Sequence, residues 1–211
     1  ICSLGLLTFT AALAQPWPTL YGQPEHRELS VDIIEAYDHG YLICGQYSSP
    51  DWQHRWAWLI KTDINGEVLW EKVIEGPNIF TTPFSIEQAA DGGILVCGIT
   101  RLEDNTPVPF VLKLNACGEK EWCNVFTGGQ NIPSARDIKE TANGDIVALI
   151  NWFGSNPEET LHLFKMNAAG DMIWQQAFAS HYNHPQSVEN IGSSLLITSE
   201  NKYLITGTGY W

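Results

Sequence analysis

The sequence predicts an all-β fold built from tandem four-stranded antiparallel sheets, and three observations predict it. First, one segment recurs in register three times: Leu59-Ile-Lys-Thr-Asp-Ile-Asn-Gly-Glu-Val-Leu-Trp70, Val111-Leu-Lys-Leu-Asn-Ala-Cys-Gly-Glu-Lys-Glu-Trp122 and Leu163-Phe-Lys-Met-Asn-Ala-Ala-Gly-Asp-Met-Ile-Trp174. Lys61, Lys113 and Lys165 stand 52 residues apart, as do Gly66, Gly118 and Gly170, and as do Trp70, Trp122 and Trp174. Second, a segment ahead of each also repeats. Asp32–Gly45 is matched by Ser85–Gly98, by a shorter copy at Asp137–Leu149 and by a weaker one at Leu195–Gly207. Third, the runs between Gly, Asn and Asp are rich in Val, Ile, Leu, Tyr and Trp, which is the pattern of short strands joined by turns. No stretch carries a convincing helical period.

Taken from the N-terminus, residues 1–14 form an apolar run ending in Ala12-Leu13-Ala14, the pattern of a secretory signal peptide. The run is shorter than the roughly 20 residues that a membrane-spanning helix needs. Residues 16–22 resemble the last strand of a repeat with no strands before it. The first complete repeat, 30–76, divides into strand A at 31–37, a tight Asp38-His39-Gly40 turn, strand B at 41–47, strand C at 56–63 and strand D at 67–75. Asp63-x-x-Gly66 suits a turn whose last residue is left-handed, where glycine is unstrained. Residues 83–128 and 134–180 repeat the scheme, and 186–211 supply half of a fourth unit.

Four antiparallel strands per repeat of about 50 residues are the signature of β-propeller blades. A β-sandwich would not repeat its sequence at a fixed interval. The expected architecture is therefore an incomplete propeller ring. The recurrent indole at the start of strand D fills the space between neighbouring blades, its N–H meeting a backbone carbonyl. Residues 16–22 are expected to complete a C-terminal blade lying beyond Trp211, the chain being a fragment of a longer protein.

The formal charge is −13, with 11 Lys and Arg against 24 Asp and Glu. Binding to a phosphate backbone requires a basic footprint, so nucleic acid and anionic membrane are not expected partners. Cys44 and Cys97 sit inside apolar runs and read as small buried hydrophobes. Cys117 and Cys123 flank one turn, and a local disulfide between them is possible in an exported chain.

Turns A–B and C–D are short and share one face, whereas the longer, variable B–C and D–A loops share the other. Function on a rigid scaffold concentrates in variable loops. Trp52, Arg55, Trp152 and Phe153 are the candidate ligand-binding residues, because aromatic rings and arginine dominate binding hot spots. The plainer reading of the rings is that they cover blade edges. His181 and His184 lack the further ligands of a metal site. Asp63-Ile-Asn65-Gly66 resembles a calcium loop only superficially and reads as turn chemistry. Lys61, Lys113 and Lys165 read as solvated strand residues near Glu67, Glu119 and Asp171. No catalytic residue, metal or cofactor is expected from these motifs.

The Gly-x-x-x-Trp element resembles the tryptophan-docking motif of quinoprotein-type propellers. Asp91-Gly-Gly-Ile-Leu-Val-Cys-Gly98, followed by the Lys…Gly…Trp segment, is similar to repeats of secreted bacterial propellers that often end in a type IX secretion sorting domain. The resemblance covers nearly all of 16–207 and implies export or cell-surface display. Quinoproteins bind pyrroloquinoline quinone and Ca²⁺ through residues outside this motif, and no stretch here matches that site. The expectation is a binding scaffold for a protein or glycan; the alternative is a hydrolase, lyase or quinoprotein-type enzyme whose site lies in other blades.

Overall fold

The computed structural model describes residues 19–23, 25–51, 53–76, 80–153, 161–178 and 190–209. Residues 1–18, Trp52 and the His181–His184 loop lie outside them. The described residues form fourteen strands and no helix. β1 (Arg27–Glu35), β2 (Tyr41–Ser48), β3 (Arg55–Thr62) and β4 (Val68–Ile74) make the first sheet. β5 (Thr81–Gln88), β6 (Ile94–Arg101), β7 (Pro107–Leu114) and β8 (Lys120–Val125) make the second. β9 (Gln130–Glu140), β10 (Ile146–Phe153), β11 (Leu161–Met166) and β12 (Met172–Phe178) make the third. β13 (Asn190–Ile197) and β14 (Tyr203–Gly209) form a two-stranded pair. Within each sheet, neighbours in sequence are neighbours in space, and every pairing is antiparallel.

The turns follow from local chemistry. In the β3–β4 turn the Asp63 carboxylate accepts the N–H groups of Asn65 and Glu67, both at 2.8 Å. Asn115 and Asn167 use a side-chain oxygen in the same way in the β7–β8 and β11–β12 turns. Gly66, Gly118 and Gly170 close these turns with φ of 83°, 72° and 86°. An L residue would be strained there. Asp63 thus serves the backbone, as the turn reading of Asp63–Gly66 required.

The sheets pack face to face in series. On β6, Ile94 and Val96 are buried with Leu42, Cys44 and Leu59 of the first sheet. Leu95 and Cys97, on the opposite face, are buried with Ala135, Ile138, Ala148 and Phe164 of the third. This is the period-two alternation of a strand buried on both faces. β5 lies against the first sheet, β9 against the second and β13 against the third. The described residues form an open series: no such contact joins β13–β14 to the first sheet. On the first sheet's free face Leu29 and Ile33 are 60% and 57% exposed. Residues 19–22 run beside that face without strand pairing, and the Tyr21 hydroxyl donates to the Gly66 carbonyl at 2.7 Å.

Two sets of contacts recur at the junctions. Near the outer edge, an aromatic ring of one sheet covers the turn glycine of the next. A Cβ on Gly118 would meet the Trp70 ring at 3.2 Å, and one on Gly170 would meet Trp122 at 2.9 Å. The Trp122 Nε1–H donates to the Ala168 carbonyl at 3.1 Å. Trp174 meets Tyr203 of β14 edge to face. Along the inner strands, Asp32 accepts the Ile86 N–H at 3.0 Å. One junction on, Asp137 accepts from the Ser85 hydroxyl, and two on, from the Leu195 N–H.

The three repeated lysines depart from the solvated role expected of them. Lys61 and Lys113 are 8% and 5% exposed. Lys61 donates to Asp38 and Lys165 contacts Asp145, both at 2.8 Å, and Lys113 pairs with Asp91. The partner acid lies in the A–B turn of the same sheet, because the amine runs across the paired strand B. Glu121 is a more distant second partner of Lys113, at 3.6 Å.

These pairs give a pH prediction. The hydrogen bonds from Lys61, Lys113 and Lys165 hold Asp38, Asp91 and Asp145, respectively, below the ordinary aspartate range. Burial pulls Lys113 down, but Asp91 and Glu121 outweigh it and its net shift is upward. A carboxylate with a lowered folded-state pKa stabilises fully above its unfolded value, about 3.9, and loses that contribution as pH falls through the folded value. The melting temperature is therefore expected to fall below about pH 4. In Lys113→Met the fall should be shallower, which thermal melts from pH 6 to pH 2 check. Equal slopes in the two proteins would count against the pairing.

Candidate functional site

The long-loop ends of the first two sheets bring together arginines and rings. Arg55 opens β3, Arg101 ends β6, and Phe80 precedes β5. Phe80 is fixed through its backbone. Its carbonyl accepts the Arg101 N–H at 3.2 Å and the Thr100 hydroxyl at 3.0 Å, and it forms an isolated parallel bridge with Arg55. The two guanidiniums then lie 5.4 and 5.1 Å from the Phe80 ring centroid. This is within reach of a cation–π contact. Arg101 also donates to the Asn105 carbonyl at 3.4 Å. Neither arginine forms an ion pair with a described carboxylate.

A row of rings lies at the same end of the first sheet. His26 stacks on Tyr47 at 4.4 Å, Tyr47 lies 6.1 Å from Trp56, and His54 stacks on Trp56 at 5.4 Å. All four residues are half-buried. Side chains held by stacking lose little conformational entropy when a ligand binds, and a planar guanidinium offers paired donors to a carboxylate or carbonyl. The surface is thus equipped to hold a polar, anion-bearing or carbonyl-rich group beside apolar rings.

Of the residues singled out in the sequence, Arg55 takes part in this surface. Trp152 is on the third sheet, where it packs beside His162 and Phe164 and covers Gly128 and Gly129. It lies over the loop between the second and third sheets. Phe153 ends β10, with its side chain outside the described residues, as is Trp52. Gly118 and Gly170, with Trp70, Trp122 and Trp174, lie at the sheet junctions already described, whereas Gly66 meets Tyr21 beside the first sheet. Cys117 and Cys123 are free thiols. Cys123 faces Leu112 across β7–β8 while Cys117 sits in the turn, so the spacing does not set them opposite each other. Phe80, Arg101 and Trp56 were not singled out. Arg101 and Phe80 begin and end loops that the sequence marks as variable, but their meeting with Arg55 depends on the parallel bridge between β3 and the chain ahead of β5.

Among the described residues, no cluster of three or more His, Cys, Asp or Glu is placed to hold a metal ion. No protein-family model and no curated protein matches the chain.

Proposed function

We propose that this chain is part of an exported β-propeller that binds a protein or glycan through its long-loop face. The observation that carries the binding reading is the Arg55–Phe80–Arg101 stack. Two cations are gathered on one ring, without carboxylate partners among the described residues, in a chain of net charge −13. Self-contained surface arginines in so acidic a chain would be expected to pair with acids. Aromatic and arginine side chains in a pre-ordered patch are the usual anchors of an interface. Support for the propeller reading comes from the serial face-to-face packing and the repeated ring-on-glycine contact. Support for export comes from the apolar run ending in Ala12-Leu13-Ala14.

The test is a protein and glycan array probed with the purified chain, followed by affinity measurement on each hit. Arg55→Ala combined with Arg101→Ala should weaken binding by about tenfold to a hundredfold, the range expected for hot-spot arginines. The same substitutions should leave the melting temperature close to wild type. A hit whose affinity is untouched by both substitutions would remove this face from the account.

A further inference from the structure

The inner strands share an irregularity that the binding-face reading does not use. Each carries a β-bulge at one equivalent position, and the residue left over is Val31 in β1, Phe84 in β5, Arg136 in β9 and Ser193 in β13. A bulge re-aims a side chain away from the regular ladder. Two of the four meet: the guanidinium carbon of Arg136 lies 4.5 Å from the Phe84 ring centroid.

Among the described residues, Arg136 has no counter-ion. It is half-buried, and its Nε is enclosed without a hydrogen-bond partner. The neighbouring carboxylate is already occupied. Asp137 accepts from the Ser85 hydroxyl at 2.9 Å, the Ile138 N–H at 2.8 Å, the Ser194 hydroxyl at 3.1 Å and the Leu195 N–H at 2.7 Å. Lys139 takes up Glu87 at 3.0 Å and approaches Asp137 at 3.4 Å. Burial pushes the Arg136 guanidinium below its usual value, opposed only by the Cys97 thiol. That thiol is itself driven well up by burial, so it is neutral near pH 7. A chain with 24 Asp and Glu has set none of its described carboxylates against this cation. Enclosing a guanidinium without a counter-charge is costly, and an anion supplied from outside would relieve that cost. Phe84 holds the guanidinium plane on one side, leaving its paired N–H donors for bidentate recognition.

We propose that Arg136, held on Phe84, is a carboxylate-binding position, filled by a free organic acid or by an acidic sugar. It uses none of the Arg55–Phe80–Arg101 residues and stands or falls independently of them.

The experiment follows the labelling of each arginine by 2,3-butanedione, read by mass spectrometry on the full chain. Labelling is run in sodium glucuronate, in sodium acetate, in glucose and in sodium chloride at matched ionic strength. Glucuronate should slow labelling at Arg136 by about fivefold or more relative to chloride, corresponding to occupancy of about 80% or more, while glucose leaves it unchanged. Equal protection by acetate would assign the position to a free carboxylate, and protection by glucuronate alone to a sugar acid. No protection by either carboxylate relative to chloride would overturn the proposal. Arg136→Gln adds a second reading. Removing an uncompensated, half-buried charge should keep or raise the melting temperature and abolish its increase in glucuronate. Loss of folding in Arg136→Gln would make the guanidinium a packing element and would also overturn the proposal.

Discussion

Asp137→Ala is expected to destabilise the chain by about 3–5 kcal/mol, the range for removing one member of a buried charged network. Asp137 is 6% exposed and joins three sheets. Its two oxygens accept from Ser85 on β5, from Ile138 on its own strand, and from Ser194 and Leu195 on β13. Truncation leaves the buried Leu195 N–H without its acceptor, at a cost of about 1–3 kcal/mol for that donor alone. It also leaves Lys139 with Glu87 as its remaining ion-pair partner. Asp137→Asn should recover little, because one carboxylate oxygen becomes an NH₂ group while donors approach from both neighbouring sheets. Urea titration gives the free energy, and hydrogen exchange gives the location. Protection at Leu195 should fall before protection at Leu95 or Leu149, as β13–β14 detaches first. A loss under about 1 kcal/mol would mean that water replaces the carboxylate and that the inner-strand network is dispensable.

Trp122→Ala is expected to cost about 3–5 kcal/mol, the range for truncating a large packed ring. The ring packs on the core between the second and third sheets, lies against Gly170 and donates to Ala168. Gly170→Ala tests the other half of the contact. At φ of 86° the alanine would be strained, and its Cβ would stand 2.9 Å from the Trp122 ring. The left-handed conformation alone costs about 1–2 kcal/mol. With Trp122 already truncated, the steric part of the Gly170→Ala penalty should disappear. The double variant should therefore be more stable than the two single losses summed, by at least about 0.5 kcal/mol. Additivity within about 0.3 kcal/mol would show that ring and glycine do not act as a unit.

Much of the architecture was legible because its causes are local. The left-handed turn glycine and the Asp or Asn that caps it lie within one turn, so Asp63–Gly66, Asn115–Gly118 and Asn167–Gly170 announce their geometry directly. Alternation of apolar residues on β6 follows from the pleat. Arg55 could be picked out by its residue type and loop position. Its partners Phe80 and Arg101 could not, since they are set by the parallel approach of β3 to the chain ahead of β5. The burial of Lys61 and Lys113 was likewise hidden. The acids nearest in sequence lie in or across the C–D turn, but the amine extends over strand B, and only the register of β2 on β3 brings the Asp38 turn within reach.

The amino-acid sequence by itself determined the repeat, the four-strand order within it, the turn types and the residues available for burial. These rest on backbone preferences and side-chain alternation among neighbours in the chain. The tertiary structure alone decided which sheet each ring covers, which acid each lysine meets and which arginine is left without one. The lysine–acid pairs span less than half a repeat and the ring contacts about one repeat, distances at which several partners of the same chemistry are available and packing selects among them.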